Sequence, residues 1–184
     1  MTHESAEFRA STDEALLDHF RRGSRSALSE LARRYERPLL GLASGLLDGR
    51  DDMARDAIQE TWLRVIRFAG SFDGRSSLKT WLYRITINQC RTVKSRMRGR
   101  AAGDPGAHVP VPPSQVDPDD RTWLRTQVAA LSPDKRTVLL LCYHEGMTHQ
   151  LAAEILDVPL GTLKSRLHAA LTTIRAGLAA EAAP

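Results

Sequence analysis

The sequence has little of the chemistry that secretion, membrane insertion or disulfide bonding requires. Its two cysteines, Cys90 and Cys142, lie far apart in the chain, which gives no disulfide framework and suits a reducing compartment. The N-terminus lacks the basic and apolar regions of a signal peptide. The longest apolar run, Val138 to Tyr143, is far too short to cross a bilayer. We therefore expect a soluble, cytoplasmic protein without membrane insertion.

Catalytic and metal-binding patterns are equally scarce. No Gly-rich phosphate loop, nucleophile elbow or pair of catalytic carboxylates occurs in the sequence. Cys142, His144 and His149 carry metal-ligating side chains, but the two histidines are five residues apart, whereas the helical zinc pattern needs four. A fourth ligand is not evident. We therefore predict no enzyme activity, no metal and no cofactor.

Proline and charge are unevenly distributed. Residues 79–100 contain seven basic residues and no acid, whereas residues 101–120 contain four Asp and no Lys or Arg. Five of the nine prolines fall in residues 99–120, so this segment is predicted to be an extended linker. Whether it acts only as a passive tether stays open. Helical patterns over 12–98 and 121–180 predict an all-α fold of two small domains joined by this linker.

Capping signals mark the starts of several helices, where the first backbone N–H groups need acceptors. Ser11 and Glu14 have the spacing of a capping box at the start of a helix over residues 12–22. Ser132 before Pro133 predicts the start of a second-domain helix.

The strongest local pattern is a pair of helices near the C-terminus. Apolar residues recur at helical spacing on both sides of the turn Asp157–Pro159, at Leu151, Ala152, Ile155, Leu156, Leu163, Leu167, Leu171 and Ile174. The outer face of the second helix carries Thr162, Lys164, Ser165, Arg166 and His168. A tight turn between two helices, the second polar and basic outside, is the helix-turn-helix arrangement that reads duplex DNA. The alternative is a helical hairpin whose polar face meets only water.

A helix predicted from Ser77 to about Arg98 combines a one-sided basic surface with two aromatic residues, Trp81 and Tyr83. Its outward positions include Arg84, Asn88 and Arg91, which follow the glycine-containing loop 69–76. Basic side chains bind phosphates and aromatic rings stack on unpaired bases, so the pattern favours single-stranded nucleic acid. Trp81 taken alone is more typical of a core residue.

A third helix is predicted over Asp51 to Phe68. Its expected inner residues are Ala54, Ile58, Trp62, Val65 and Ile66, and its polar side carries Asp56, Gln59, Glu60 and Arg64. Spacing alone does not distinguish a binding surface from a solvated helix face.

These segments together resemble a known family. The runs 59–65 (QETWLRV) and 77–85 (SLKTWLYRI) resemble region 2 of bacterial RNA polymerase sigma factors of the extracytoplasmic-function group. The run 161–169 (GTLKSRLHA) resembles the recognition helix of that group's region 4, and Leu131-Ser132-Pro133 with the apolar run 138–141 resembles the start of region 4. The three motifs stand in the family's order, and the resemblance covers nearly the whole chain outside its first ten residues and the linker's details.

The resemblance implies an alternative sigma factor, which binds core RNA polymerase and directs promoter recognition and opening. It implies that the first domain docks on the polymerase clamp through Asp56, Gln59, Glu60 and Leu63. The second domain would touch the polymerase flap. An anti-sigma factor is a further expected partner.

The resemblance also implies two contacts with promoter DNA. The non-template strand of the minus-ten element would be captured by Phe72, Asp73, Arg75, Ser76, Lys79, Trp81, Arg84, Asn88 and Arg91. The minus-thirty-five duplex would be read by Thr162, Lys164, Ser165, Arg166 and His168. The linker would thread the channel that nascent RNA will occupy, and its four Asp without a basic residue suit a strand that mimics RNA there.

One departure from the family lies in the turn of the helix-turn-helix. Asp157 stands where the family usually has glycine. Because Asp tolerates the left-handed backbone better than most residues, we expect the turn to form.

A transcription regulator of another kind, binding duplex DNA through Lys164 and Arg166 without polymerase, is the main alternative. Such a regulator should carry a sensor domain with a ligand pocket, whereas the first block offers a clamp-binding helix and a strand-binding helix. A pure protein-interaction module would leave the basic helix unexplained.

Overall fold

The structure is a computed structural model that describes residues 8–103 and 120–181. Within these ranges every regular element is helical, so the all-α prediction is confirmed. Residues 8–10 form a helical turn. The longer helices are α1 (Asp13–Arg21), α2 (Arg25–Leu46), α3 (Asp51–Phe68), α4 (Leu78–Gly103), α5 (Asp120–Ala130), α6 (Pro133–Leu139), α7 (His149–Leu156) and α8 (Leu160–Glu181). None of the helices in the described ranges has the length and apolarity needed to cross a membrane.

Helix α4 is longer than the sequence pattern predicted. It continues through Gly103, so residues 99–103, which were predicted to belong to the linker, are helical. Arg and Ala are favourable helix formers, and extending an existing helix needs no new nucleation. The rest of the predicted linker, residues 104–119, lies outside the described residues, and the domain limits stay a prediction.

Helices α1 to α4 form the first domain around an aliphatic core. Inward residues recur every three or four positions along α2, and Leu31, Leu39 and Leu42 are fully buried there. Leu78 and Leu82 of α4 are fully buried against them. This spacing follows the helical repeat, so one face of each helix is buried. A 3₁₀ turn, Ala69–Ser71, leads from α3 into the loop before α4.

The cap of α1 differs from the predicted capping box. Thr12 is the N-cap residue, and its hydroxyl accepts a hydrogen bond from the Ala15 N–H at 3.2 Å. The Glu14 carboxylate instead accepts from the Leu78 N–H at 3.1 Å, at the start of α4. A carboxylate at a helix N-terminus satisfies an unpaired donor and complements the helix dipole, so a tertiary contact has replaced the expected local one.

Helices α5 to α8 form the second domain. Helix α6 begins at Pro133 as predicted, and its chain widens into a π-helical turn, Leu140–His144, closed by a hydrogen bond from the Glu145 N–H to the Leu140 carbonyl at 3.0 Å. Helices α6 and α8 pack along each other, and Val138 and Leu163 are fully buried. The helix-turn-helix is thereby fixed to the rest of the domain.

The two domains pack against each other, with α7 on α4 and the π turn on α2. Two glycines of α2 allow this approach. A Cβ atom at Gly45 would lie 2.9 Å from Leu140 Cδ1, and one at Gly41 would lie 2.8 Å from His144 Nε2. A larger residue at either position would therefore displace the facing Leu140 or His144 side chain.

Candidate functional site

A groove of about 330 Å³ lies between α2 and α3. Its lining residues are Glu36, Leu40, Arg55, Ile58, Gln59, Trp62, Leu63 and Ile66. Leu63 is 50% exposed and Ile66 is 49% exposed, so two large apolar side chains of one helix face solvent. The prediction that Ile66 points inward was wrong. The apolar residues of α3 extend around more of the helix surface than one buried face can cover. Leu63 and Ile66 therefore lie outside the core, in the groove.

The four predicted polymerase-binding residues, Asp56, Gln59, Glu60 and Leu63, are all exposed on α3. Gln59 and Leu63 line the groove, whereas Asp56 and Glu60 are not among its lining residues. Trp62, predicted as an inner residue, is half-buried. Its buried Nε1–H finds no acceptor among the described residues. Sequence reasoning missed Trp62 and Ile66 as surface residues of this groove, and only the wide apolar stripe could have indicated them.

The loop before α4 presents a short charged turn. Asp73, Gly74 and Arg75 are exposed, and Gly74 adopts a left-handed φ of 73°. The Asp73 carboxylate accepts from the Arg75 N–H and pairs with its guanidinium, both at 3.1 Å. The predicted loop residue Ser76 is half-buried. One acidic and one basic side chain, paired with each other, therefore lie at the tip of this loop.

Two aromatic rings meet where the loop joins α4. Phe72 and Trp81 are both half-buried, with ring centroids 5.3 Å apart. Tyr83 does not share this surface, since it is only 2% exposed and its hydroxyl donates to the Glu145 carboxylate at 2.5 Å. The prediction that Tyr83 belongs to the strand-binding surface was therefore wrong. Lys79 is half-buried, with its Nζ 5.9 Å from the centre of the Tyr83 ring.

Arg84, Asn88 and Arg91 come together on α4, as the helical spacing predicted. They line one wall of a cleft of about 280 Å³, and Ile155, Leu156 and Asp157 of the second domain line the other. The Arg84 guanidinium donates to the Glu154 carbonyl at 2.6 Å and to the Ile155 carbonyl at 3.3 Å. The C-terminal end of α7 carries partial negative charge, which attracts the guanidinium. Arg84 is thus occupied by the second domain in this arrangement.

The helix-turn-helix has the predicted geometry. Thr148 caps α7 by accepting a hydrogen bond from the Leu151 N–H at 3.2 Å. Asp157 adopts left-handed backbone with φ of 53°, which confirms that Asp supports the turn in place of glycine. Helix α8 then begins at Leu160.

The predicted duplex-binding residues of α8 differ in how freely they project. Lys164, Ser165 and His168 are exposed, and Thr162 is half-buried. Arg166 is half-buried and pairs with Asp134 of α6 at 3.0 Å. The pair holds Arg166 against α6, so Lys164 is the basic side chain of this group that extends into solvent.

Cys142, His144 and His149 carry the metal-ligating side chains of this region. Among the described residues, no group of three or more His, Cys, Asp or Glu side chains lies close enough together to hold a metal. Burial raises the pKa of the Cys90 thiol to about 12 and also raises the pKa of the Cys142 thiol.

Comparison with known families agrees with this geometry. The family model described as Sigma-70 region 2 matches residues 31–100, and the model described as Sigma-70, region 4 matches residues 121–174. The first range contains the groove, the loop and the basic part of α4. The second contains the helix-turn-helix.

Curated relatives match along most of their length. The chain is 29% identical over 180 residues to the RNA polymerase sigma-H factor of Pseudomonas aeruginosa, covering 88% of this chain and 91% of the relative. It is 29% identical over 175 residues to the ECF RNA polymerase sigma-E factor of Haemophilus influenzae, covering 85% and 89%. It is 26% identical over 181 residues to the ECF sigma-E factor of Escherichia coli K12, covering 89% and 92%.

Two solved structures share the fold. CnrH, solved in complex with the cytosolic domain of CnrY, has a TM-score of 0.71 at 22% identity, covering 92% of this chain and 99% of that chain. The sigma factor RpoE of Bartonella quintana, solved with the anti-sigma factor NepR, has a TM-score of 0.67 at 26% identity, covering 82% and 96%. The order of both regions and these full-length relatives lead to one conclusion: the chain belongs to the sigma-70 family of bacterial RNA polymerase subunits, in its extracytoplasmic-function group.

Proposed function

We propose that three separate surfaces divide the work of this protein, an alternative sigma factor that binds core RNA polymerase and directs promoter recognition and opening. The family is not enzymatic, and the roles proposed for its surfaces are binding roles. A regulator that acts without polymerase would not need a Sigma-70 region 2, so that alternative is set aside.

The groove between α2 and α3 is proposed to bind the polymerase clamp. The observation that carries this proposal is the exposure of Leu63 and Ile66, 50% and 49%, beside the polar Gln59. Exposed apolar side chains with a polar rim are typical of protein interfaces. Asp56 and Glu60, exposed on the same helix, would supply the charged rim.

The loop 72–76 and the exposed face of α4 are proposed to bind the non-template strand. Asp73 and Arg75 lie at the loop tip, while Asn88 and Arg91 are exposed on the helix that follows. Phe72 and Trp81 form a half-buried aromatic pair between them. Positive charge beside aromatic rings suits an unpaired strand.

The N-terminal half of α8 is proposed to read the minus-thirty-five duplex. Lys164, Ser165 and His168 project into solvent beyond the left-handed turn at Asp157. Side chains near the start of a recognition helix reach base edges, while the helix N-terminus and small residues meet phosphates.

An anti-sigma factor is a proposed partner, and the cytoplasm is the proposed location, since core polymerase and promoter DNA are there. The Bartonella quintana relative was solved with an anti-sigma factor. Exposed apolar side chains occur on both domains, among them Leu63 and Phe68 on the first and Leu124 and Leu178 on the second. A regulator that covers them would compete with polymerase for the groove.

The deciding experiment is reconstitution of a holoenzyme. Purified chain is mixed with core polymerase, and the complex is isolated by size exclusion and used for run-off transcription on a pool of genomic fragments from the source organism. We expect co-elution with core and a restricted set of transcripts that core alone does not produce. Duplex binding without co-elution would reject the proposed clamp surface.

A further inference from the structure

Helix α1 contacts the loop before α4 through the arginine at its end. The Arg21 Nε donates to the Ala69 carbonyl at 2.8 Å, and its Nη2 donates to the Phe72 carbonyl at 2.5 Å. These carbonyls lie at the two ends of the 3₁₀ turn, so one guanidinium fixes how the chain enters the loop. The Asp18 carboxylate holds the third nitrogen, Nη1, at 2.9 Å.

The same arginine also supports the aromatic pair. Its guanidinium carbon lies 6.0 Å from the centre of the Phe72 ring, within the usual range of a cation–π contact. The other neighbour of that ring is Trp81, at 5.3 Å between centroids. Phe72 is therefore contacted by α1 as well as by α4.

The far end of the loop is fixed by the same helix. The Glu14 carboxylate accepts from the Leu78 N–H at 3.1 Å, at the start of α4. Glu14 and Arg21 are seven residues apart, which is about two helical turns, so both side chains lie on one face of α1. Between the two fixed ends, the described contacts of the exposed tip are local, from Asp73 to Arg75.

We propose that α1 fixes both ends of this loop, and that Arg21 is a positioning residue that sets the base preference of the exposed tip. This inference rests on the proposed strand-binding role of the loop. Arg21 acts through the backbone of the loop, because its Nε and Nη2 donate to the Ala69 and Phe72 carbonyls and Asp18 holds its Nη1. A planar guanidinium can bridge two carbonyls at once, whereas a lysine ammonium cannot reproduce that fork.

The test uses holoenzyme made with the full chain or with Arg21→Ala, Arg21→Lys or the control Arg22→Ala. Arg22 is an exposed neighbour of the same charge. The probe is a labelled single-stranded DNA library with a randomised central segment, and the bound fraction is sequenced. Core affinity and the thermal midpoint of each free chain are measured in parallel.

We expect Arg21→Ala and Arg21→Lys to lower the discrimination between the best and worst base by roughly tenfold at the positions that the loop reads. Core affinity and the thermal midpoint should stay within the range of Arg22→Ala. A general loss of stability would instead lower core binding and strand binding together, without a selective change in base preference.

Three results would overturn the proposed positioning role of Arg21. The first is unchanged discrimination in Arg21→Ala. The second is full discrimination in Arg21→Lys, which would show that charge alone is sufficient. The third is a parallel loss of core affinity and thermal midpoint, which would make Arg21 a stability residue. If unmodified holoenzyme forms but shows no base preference, the proposed strand-binding role of the loop is wrong. The positioning role of Arg21, which rests on it, is then wrong as well.

Discussion

At the scale of single residues, the exposed side chains of Leu63 and Ile66 allow the proposed polymerase contact to be tested directly. Both are about half exposed beside the α2–α3 groove, so replacing them should leave the core of the first domain intact. A few well-packed residues carry most of the affinity of an interface. Their exposure therefore separates an effect on binding from an effect on folding.

Replacing Leu63 and Ile66 together by Ala should weaken the affinity for core polymerase by at least roughly tenfold. The matched control is Leu178→Ala, an exposed leucine on α8. Affinity is measured by fluorescence anisotropy of labelled sigma titrated with core. Equal affinity of both variants and the unmodified chain, with normal circular dichroism, would remove the groove from the polymerase interface.

Arg166 poses a sharper question, because it pairs with Asp134 and must leave that pair to reach a base. Arg166→Ala is expected to cost about 1–3 kcal/mol and to relax the preference at one upstream base pair. Thr162→Ala should lower the affinity for all duplex sequences by nearly the same factor, since phosphate contacts carry no direct sequence information. Arg175→Ala, an exposed arginine further along α8, is the control.

The measurement for Arg166 is binding of the full chain, in holoenzyme, to a panel of duplexes that differ by one base pair upstream. A single common factor across the panel for Arg166→Ala would make Arg166 a phosphate contact, and its base-reading assignment would be wrong.

At the scale of elements, periodicity predicted the helices well and their surroundings less well. The inward stripe of α2 and the two helices around Asp157 follow directly from apolar spacing. Glu14 shows the limit, since its carboxylate accepts from the distant Leu78 N–H, and local spacing cannot reveal a donor that is far away in the chain. Ile66 shows the same limit, because an apolar residue reserved for a partner has the same composition signal as a core residue.

The site was predictable to a similar degree. Arg84, Asn88 and Arg91 lie together as the helical repeat requires. The contact of Arg84 with Glu154 of α7, however, joins two residues that are far apart in sequence. The burial of Tyr83 has the same cause, since its hydroxyl partner Glu145 belongs to the second domain. A single sequence carries no signal for such pairings.

Helix α2 carries an acid-sensitive ion cluster. Hydrogen bonds from Arg33 are the main cause that lowers the pKa of the Glu30 carboxyl to about 2, with Arg34 adding to the effect against the opposing effect of burial. Arg34 also pairs with Asp13 of α1 at 2.7 Å. The cluster thus joins the first two helices.

Because the pKa of Glu30 is lower in the folded state than its ordinary value of 4.5, its stabilisation is complete above that value. It is lost as the pH falls towards 2. Glu30→Gln should lower the free energy of unfolding at neutral pH and flatten its decline in acid. Chemical denaturation between pH 2 and pH 7 measures this, with Glu36→Gln, an exposed residue of the same helix, as control. Identical curves for Glu30→Gln and Glu36→Gln would contradict the assignment.

At the scale of the whole molecule, the side chains of Tyr83, Arg84 and Arg136 make polar contacts between the domains. Arg136, only 4% exposed, donates to the Asp48 carboxylate and to the Leu46 carbonyl. Tyr83 donates to Glu145, and Arg84 donates to the end of α7. Arg84 is also a predicted contact of the DNA strand. Its guanidinium cannot bind the end of α7 and the strand at the same time, so strand binding requires the two domains to separate there.

Asp48 joins the two domains through its contact with Arg136. Its carboxylate also pairs with Lys94 of α4 at 2.9 Å. Burial raises the pKa of Asp48, but the hydrogen bond from Lys94 and the charge of Arg136 outweigh burial and lower it overall. Asp48 adopts left-handed backbone with φ of 61°, which Asn also tolerates, so Asp48→Asn removes the charge without straining the turn.

Asp48→Asn should therefore shift the free chain towards an open arrangement, because the buried Arg136 loses a charged acceptor and keeps only neutral ones. Small-angle X-ray scattering of the full chain should show a larger radius of gyration, and circular dichroism should show unchanged helicity. Asp52→Asn, an exposed acid at the start of α3, should match the unmodified chain. Equal radii for all three proteins at neutral pH would mean that the Asp48–Arg136 contact does not hold the domains together in solution.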